Sequence, residues 1–204
     1  MKTVIVTGGI GSGKSAVCAL LGERGIPVYD SDDRTKSLYQ RRPALVAQLE
    51  QLFQQPLRSP DGALDRPRLA RLIFSDPSAR EQLESLVYPL VLQDFKRWRS
   101  RRKASPFVVL ESAVILSKPL FDGLADAVVL VDAPEEVRLE RILRRDGCSR
   151  EAALSRMASQ PAIDPEKVNV VLSNAGDGKE LRRAVDAVFF DKNSYLCKLL
   201  KTEE

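Results

Sequence analysis

A glycine-rich run near the start of the chain restricts the possible folds more than any other feature. The stretch VTGGIGSGKSAV (Val6–Val17) places glycine at Gly8, Gly9, Gly11 and Gly13. Glycine loses more backbone freedom on ordering than any other residue, so this run does not form the interior of a stable helix or strand. We therefore expect a loop whose bare backbone approaches a ligand closely.

The segments on either side of this run indicate a strand, a loop and a helix. TVIVT (Thr3–Thr7) is a continuous β-branched run, as in a buried parallel strand, and the pattern from Gly13 to about Gly22 is helical. The spacing Gly8-x-x-x-x-Gly13-Lys14-Ser15 matches the phosphate-binding loop of nucleoside triphosphatases and kinases. The alternative is a glycine-rich turn that binds nothing.

Each residue type in this loop fits the chemistry of a triphosphate. Backbone N–H groups and the N-terminus of the following helix attract the anion. Lys14 supplies a cation for the β- and γ-phosphates, and the Ser15 hydroxyl is a ligand for Mg²⁺. The predicted nucleotide-binding residues are Gly8, Gly9, Gly11, Ser12, Gly13, Lys14, Ser15 and Ala16. The chain contains neither an Asn-Lys-x-Asp nor an Asp-x-x-Gly stretch, which favours a kinase that uses ATP over a GTPase switch.

The rest of the chain alternates between strand and helix patterns. Further strands are predicted at Ile26–Asp30, Pro106–Glu111, Ala127–Asp132 and Val168–Asn174, and a last helix near Gly178. This order predicts an α/β fold, a P-loop NTPase with a five-stranded, mostly parallel sheet flanked by helices. The region from about Thr35 to Lys103 has no strand pattern and predicts a helical insertion. Helix caps or breaks are expected in it at Pro43, Ser59–Gly62, Ser75–Ser78 and Pro89.

Acidic residues follow the second predicted strand, where a second substrate is expected to bind. The chain has no histidine, so a general base must be a carboxylate, Lys, Tyr or Cys. In VYDSDD, Asp30 and Asp32 share one side if the chain stays extended, and either could take the proton of an acceptor hydroxyl. The alternative is a helix cap for a segment that begins near Thr35, with Asp33 the better candidate than Asp32.

Three arginines, Arg141, Arg144 and Arg145, follow a predicted strand–helix unit. In kinases, arginines in such a place close over the transferring phosphoryl group and offset its charge. As ordinary helix-surface residues, they would pair instead with acidic residues at helical spacing, namely Glu135, Glu136 or Glu140.

Segments in order along the chain resemble the dephospho-coenzyme A kinase family. TGGIGSGKS (Thr7–Ser15) is similar to that family's loop, including its Thr-Gly-Gly-Ile lead, and VYDSD (Val28–Asp32) resembles its Val-x-Asp-Ala-Asp stretch. The segment Asp61–Pro89, which contains DGALDR, resembles the family's helical acceptor-binding region. Arg141–Gln160 resembles the family's lid, and VLSNAG (Val171–Gly176) resembles its Val-Ile-x-Asn-x-Gly stretch.

The resemblance implies a function and a division of the chain. The activity would be ATP-dependent phosphorylation of the ribose 3′-hydroxyl of dephospho-coenzyme A, the last step of coenzyme A synthesis. A nucleotide-binding core would comprise residues 1–34, 105–143 and 165–204, with an acceptor-binding insertion at 35–104 and a lid at 144–164.

The same resemblance implies roles for individual residues. Asp32, Lys14, Arg141 and Arg145 would be catalytic, and Asn174 would lie near the adenine. Mg²⁺ would be held by Ser15 and Asp32. The sequence departs from the family's usual pattern at several positions: Tyr88 stands where histidine is usual, Ser117 where glutamate is common, Arg138 where glutamine is frequent, and Val168-Asn169 where the family has an Ala-Asp pair.

Composition limits the partners and the location that we expect. The net charge of +4 suits a phosphate-rich ligand without demanding nucleic acid, and no apolar run is long enough to cross a membrane. The first residues do not resemble a signal peptide, and the three scattered cysteines fit reduced thiols, so we expect a cytoplasmic protein that is a monomer or a weak homo-oligomer. Two other functions stay open: another small-molecule hydroxyl kinase of the same fold, and a nucleotide-dependent RNA- or protein-binding module.

Overall fold

The computed structural model describes residues 1–201, which form five β-strands and nine α-helices. The strands are β1 (Lys2–Thr7), β2 (Val28–Asp30), β3 (Phe107–Glu111), β4 (Ala127–Asp132) and β5 (Val170–Ser173). The helices are α1 (Lys14–Glu23), α2 (Ser31–Arg41), α3 (Pro43–Phe53), α4 (Arg66–Ser75), α5 (Pro77–Ser100), α6 (Glu135–Asp146), α7 (Arg150–Ala158), α8 (Gly178–Phe189) and α9 (Tyr195–Lys201).

The five strands form one sheet in the spatial order β2-β3-β1-β4-β5, and every neighbouring pair is parallel. Strand β1 is central, and its residues Val4 and Val6 are completely buried. Helices α1 and α8 contribute Leu21 and Val185 to the same core. Burial on both faces explains why β1, β3 and β4 are continuous apolar runs in the sequence. The predicted α/β fold, with a parallel sheet flanked by helices, is confirmed.

The chain divides into two compact units. One comprises Met1–Asp30 together with the chain from Arg101 onward, and it contains the sheet. The other is Ser31–Ser100, whose described structure consists of α2 to α5 and one isolated bridge between Arg58 and Leu64. Helix α5 buries a stripe at helical spacing that includes Leu83, Val87, Val91 and Phe95. The absence of a strand pattern in this part of the sequence therefore correctly indicated helices.

Two expectations about helix ends are wrong. Pro89 does not break a helix, because α5 continues through it from Pro77 to Ser100. A proline removes one intrahelical hydrogen bond, and the buried side chains before and after Pro89 stabilise the helix in spite of this loss. The helix that begins at Gly178 is not the last, since α9 follows it and buries Leu196.

The acidic stretch after β2 is not extended. Strand β2 ends at Asp30 and α2 begins at the next residue, so Asp30 belongs to a strand and Asp32 to the first turn of a helix. The side chain of Thr35 donates a hydrogen bond to the carbonyl of Ser31 inside this first turn. Carboxylates are favoured near a helix N-terminus by the helix dipole, which explains the early start of α2.

Candidate active site

The loop between β1 and α1 needs its glycines for two physical reasons. Gly8, Gly11 and Gly13 have φ angles of 149°, 79° and 95°, in a region that side chains with a Cβ rarely adopt. A Cβ at Gly8 would also collide with the carbonyl of Val131, and one at Gly13 with the side-chain amide of Asn174. Part of the loop backbone therefore has left-handed φ angles, and the loop packs closely against β4 and the residues after β5.

The two polar residues at the end of the loop contact the loop carbonyls and the end of β3. The Nζ of Lys14 donates hydrogen bonds to the carbonyls of Gly8 at 2.8 Å and Gly9 at 3.2 Å, so its cation lies over the loop. The Ser15 hydroxyl donates to a carboxylate oxygen of Glu111 at 2.7 Å. The N-terminus of α1, the Lys14 ammonium and the Ser15 hydroxyl thus all lie beside the loop, and groups of these three kinds bind polyphosphates and their metal ion.

Glu111 is a site residue that we did not predict from the sequence. It is the last residue of β3, only 8% exposed, and it aligns with Asp30 of β2 in the sheet. Ser15 and Cys18, one helical turn apart on α1, both hydrogen-bond to it. Burial chiefly raises the pKa of Glu111, with a smaller contribution from the Asp30 charge, whereas the bonds from Ser15 and Cys18 oppose that shift. Burial, followed by the charge of Glu111, in turn raises the pKa of Cys18, which stays a neutral thiol.

This environment predicts the behaviour of a Glu111→Gln variant. Because the folded-state pKa lies above the ordinary value of 4.5, the protonated carboxyl stabilises the fold below that pH. This contribution is lost as the pH rises through the raised folded-state pKa. Above that folded-state pKa, the ionised side chain is therefore a net cost, and the neutral amide, which still accepts from Ser15, should raise the melting temperature.

Activity should fall in the same Glu111→Gln variant, because a negative charge beside Ser15 is lost. Thermal unfolding at pH 5 and at pH 8, with steady-state rates, measures both effects, and the gain in melting temperature should be larger at pH 8. The exposed Glu166, changed to Gln, is the control and should alter neither quantity. A lower melting temperature for Glu111→Gln at pH 8 would show that the ionised carboxylate stabilises the fold.

Helix α6 holds the loop through its arginines. Arg141 donates to the carbonyls of Gly11 at 3.3 Å, Ser12 at 3.4 Å and Asn174 at 3.0 Å. Asn174 is 3% exposed, and its amide donates to the Ser12 carbonyl at 2.7 Å. In a planar trans peptide the N–H points away from the C=O, so holding the Ser12 carbonyl turns the Gly13 N–H to the opposite side of the loop. Arg141 and Asn174 therefore orient the loop's amides.

Arg145 has a different environment from Arg141. Its side chain is 62% exposed and forms a two-point ion pair with Asp146, at 2.7 and 3.0 Å. Arg156 of α7 contacts the same carboxylate at 2.7 Å. Glu136 pairs with Arg150, which is not one of the three arginines identified in the sequence. The alternative pairing with Glu135, Glu136 or Glu140 is therefore wrong for Arg141 and Arg145.

Asp32 lies in the helical unit, beside a tyrosine. The hydroxyl of Tyr88 donates to Glu84 at 3.3 Å. Burial, then the charge of Glu84 and more weakly that of Asp32, raises the pKa of Tyr88. Tyr88 is therefore a neutral phenol at physiological pH and lies within electrostatic reach of Asp32.

Both units contain clefts large enough for a small ligand. In the sheet-containing unit, a cleft of about 710 Å³ is lined by Val137, Glu140, Arg141, Leu143, Arg144, Ala175 and Gly176. In the helical unit, a cleft of about 560 Å³ has three basic and two acidic side chains in its wall, namely Lys36, Arg58, Arg66, Asp61 and Asp65. Both clefts have the size of a site for a small molecule.

Two negative observations apply to residues 1–201. No group of three or more acidic, cysteine or histidine side chains converges there as a metal centre. None of the helices in this part of the chain combines the length and the apolar character needed to cross a bilayer.

The parallel sheet, the glycine loop and the Lys14–Ser15 pair together define a P-loop kinase. The family model described as dephospho-CoA kinase matches residues 2–180. The chain therefore belongs to the dephospho-CoA kinase family, and the resemblance seen in the sequence is confirmed.

Individual relatives agree with this assignment. The chain is 45% identical over 160 residues to the dephospho-CoA kinase of Porphyromonas gingivalis, covering 78% of each chain. It is 34% identical over 195 residues to that of Anaeromyxobacter dehalogenans, covering 94% of this chain and 92% of the other. Among solved structures, TT1252 from Thermus thermophilus has a TM-score of 0.76 at 38% identity, covering 92% of this chain and 95% of that one.

Proposed function

We propose that this chain transfers the γ-phosphoryl group of ATP to the ribose 3′-hydroxyl of dephospho-coenzyme A, giving coenzyme A and ADP. The observation that carries the proposal is the family match over residues 2–180, which includes a loop with Lys14 and Ser15 in working geometry. We further propose a cytoplasmic monomer or weak homo-oligomer that needs no nucleic acid.

ATP would bind with its phosphates on the loop and its base in the cleft beside α6. The amides from Gly11 to Ala16 and the Lys14 cation would hold the β- and γ-phosphates. The buried Asn174 side chain donates to the Ser12 carbonyl of the loop. Its contribution to adenine binding would therefore come through the adjoining residues Ala175 and Gly176, which line the 710 Å³ cleft with Arg141.

The oxygen donors beside the loop fit Mg²⁺. The Ser15 hydroxyl and the Glu111 carboxylate lie 2.7 Å apart, and Mg²⁺ prefers one or two such protein oxygens together with phosphate oxygens and water. Ser15 would coordinate the ion directly, while Glu111 and Asp32 would accept hydrogen bonds from water bound to the ion. The ion would offset the charge of the β- and γ-phosphates.

The acceptor would bind to the helical unit. The 560 Å³ cleft with Lys36, Arg58 and Arg66 offers cations for the diphosphate of dephospho-coenzyme A. Asp32 would accept the proton of the 3′-hydroxyl while the oxygen–phosphorus bond forms. Tyr88, a neutral phenol near Asp32, would contribute a hydrogen-bonding group where the family usually has histidine.

The lid segment, residues 144–164, would exclude water from the reacting phosphate. It carries Arg145, which is held by Asp146 in the structure and is exposed enough to turn toward a ligand. Arg145 would then contact the phosphoryl group mainly in the transition state.

We expect Arg145→Ala to lower kcat more than it weakens acceptor binding, because the contact forms mainly in the transition state. Steady-state kinetics with both substrates varied measures the two effects. Arg150→Ala, which removes an exposed arginine paired with Glu136 at the start of α7, is the control. A rise in the KM for ATP alone would mean that Arg145 only holds the nucleotide.

The test of the proposed function is an assay of ADP release with a panel of acceptors. We expect dephospho-coenzyme A to be preferred over adenosine, shikimate and gluconate. A preference for any other acceptor would contradict the proposal. Binding of ATP without turnover, together with salt-sensitive affinity for RNA, would instead support a nucleotide-dependent binding module.

A further inference from the structure

The central residue of the glycine loop, Ile10, is held at three separate points. Its backbone N–H donates to the Oε1 of Gln160 at 2.6 Å, and its carbonyl accepts from the Nε of Arg138 at 3.0 Å. Its side chain packs against the small buried cluster of α6 and α7 that is formed by Leu139, Ile142 and Ala153. One loop residue thus connects to both helices of the segment that follows β4.

The two hydrogen bonds of the Ile10 backbone join it to different parts of the chain, one to α6 and the other to the residues beyond α7. Arg138 lies in α6, the helix that follows β4 and that also bonds to the loop through Arg141. Gln160 lies just beyond the end of α7, 150 residues from Ile10 along the chain. This side chain is therefore a direct polar link between the end of the lid segment and the phosphate loop.

The loop requires such external support. Its glycines adopt positive φ angles but have no intrinsic preference for them, so neighbouring groups must fix the conformation. An acceptor on the Ile10 N–H fixes the plane of the Gly9–Ile10 peptide. The next residues along the chain are Gly11 and Ser12. Both of their carbonyls accept from Arg141 of α6, and the Ser12 carbonyl also accepts from Asn174.

We propose that Gln160 is a positioning residue for the phosphate loop: its side-chain carbonyl fixes the Gly9–Ile10 peptide and thereby prepares the following amides for the nucleotide phosphates. It acts through Ile10 and does not contact the phosphates itself. The inference rests on the loop being the nucleotide site, so ATP binding by the unmodified protein is the internal check of that premise.

Two substitutions separate positioning from direct contact. Gln160→Glu retains an oxygen acceptor for the Ile10 N–H but loses the amide donor. Gln160→Met has a similar length and offers neither an oxygen acceptor nor an amide donor. Ser159→Ala is the matched control, because Ser159 is exposed and its hydroxyl bonds only to Arg156 of its own helix.

The first measurement is hydrogen exchange at the Ile10 amide in the free protein, where the added carboxylate cannot act on nucleotide phosphates. We expect exchange about tenfold faster in Gln160→Met, the effect of losing one hydrogen bond, and unchanged protection in Gln160→Glu and Ser159→Ala. Equal exchange in the unmodified protein and Gln160→Met, or equally fast exchange in Gln160→Met and Gln160→Glu, would overturn the proposal.

The second measurement is ATP affinity at equilibrium, with kinetics and thermal unfolding alongside. Gln160→Met should weaken ATP binding and raise the KM for ATP about tenfold, with a smaller change in kcat, because the loop holds ground state and transition state alike. A lower melting temperature with unchanged ATP affinity would show that Gln160 only anchors α7, and the positioning role would be rejected. If the unmodified protein fails to bind ATP, the premise itself fails, which is a different result.

Discussion

Replacing Asp32 by asparagine is expected to slow phosphoryl transfer by roughly 10²- to 10⁴-fold, the range for loss of a positioned general base. Asparagine keeps the shape and the hydrogen-bonding capacity of the side chain but removes its charge. ATP affinity should change little, because the loop and Lys14 carry most of the nucleotide binding. Single-turnover rates, with nucleotide affinity measured at equilibrium, separate these two effects.

Neighbouring aspartates provide matched controls for this experiment. Asp33→Asn changes the next residue of the same helical turn, where the exposed carboxylate pairs with Lys36, and should have little effect on the rate. Asp30→Asn removes a carboxylate at the end of β2 and should have an intermediate effect. If Asp30→Asn slows chemistry more than Asp32→Asn, the two roles are reversed. If neither variant is slow, hydroxyl activation by this stretch is excluded.

Replacing Lys14 by alanine is expected to lower turnover by about 10² or more, because a cation at the β- and γ-phosphates supplies a few kcal/mol of charge stabilisation. In the structure this ammonium donates to the loop carbonyls of Gly8 and Gly9 and is not part of the buried apolar cluster around the sheet, so we expect the core to tolerate its removal. Steady-state assays and thermal unfolding of the same samples measure activity and folding separately.

The control for Lys14 is Lys179→Ala, which removes an exposed lysine from the first turn of α8. It should leave turnover unchanged, which would show that the loss of one positive charge does not by itself lower the activity. Near-normal turnover of Lys14→Ala with an unchanged melting profile would contradict the assignment of the phosphate loop.

The sheet and the loop could be predicted because their determinants are local. TVIVT is β-branched at all five positions, and the sheet buries all five of them, while the glycine spacing follows directly from the φ angles that the loop requires. The ends of helices were harder to predict from the sequence. Ser31 starts a helix immediately after β2, where the helix dipole favours the carboxylates of Asp32 and Asp33. Pro89 is tolerated inside α5 because buried side chains before and after it stabilise the helix.

The contacts around the loop could not be predicted because they join residues far apart in the sequence. The bond between Ser15 and Glu111 spans 96 positions, and that between Asn174 and Ser12 spans 162. A signal for Glu111 was nevertheless present: it ends the apolar run PFVVLE, and the carboxyl ends of parallel strands carry the ligand site of an open sheet. The role of Asn174 in supporting the loop, by contrast, has no signal in the sequence alone.

The central claim is that this chain phosphorylates one particular hydroxyl group, and identification of the product tests it most directly. The protein is incubated with ATP, Mg²⁺ and dephospho-coenzyme A, and the acceptor is analysed by mass spectrometry and by phosphorus NMR. A parallel reaction uses an acceptor that lacks the 3′-hydroxyl. The account predicts one added phosphoryl group for each ADP released, located on the ribose 3′-oxygen, and no phosphorylation of the 3′-deoxy acceptor. Release of ADP without a phosphorylated acceptor, or a phosphate on another oxygen, would contradict it.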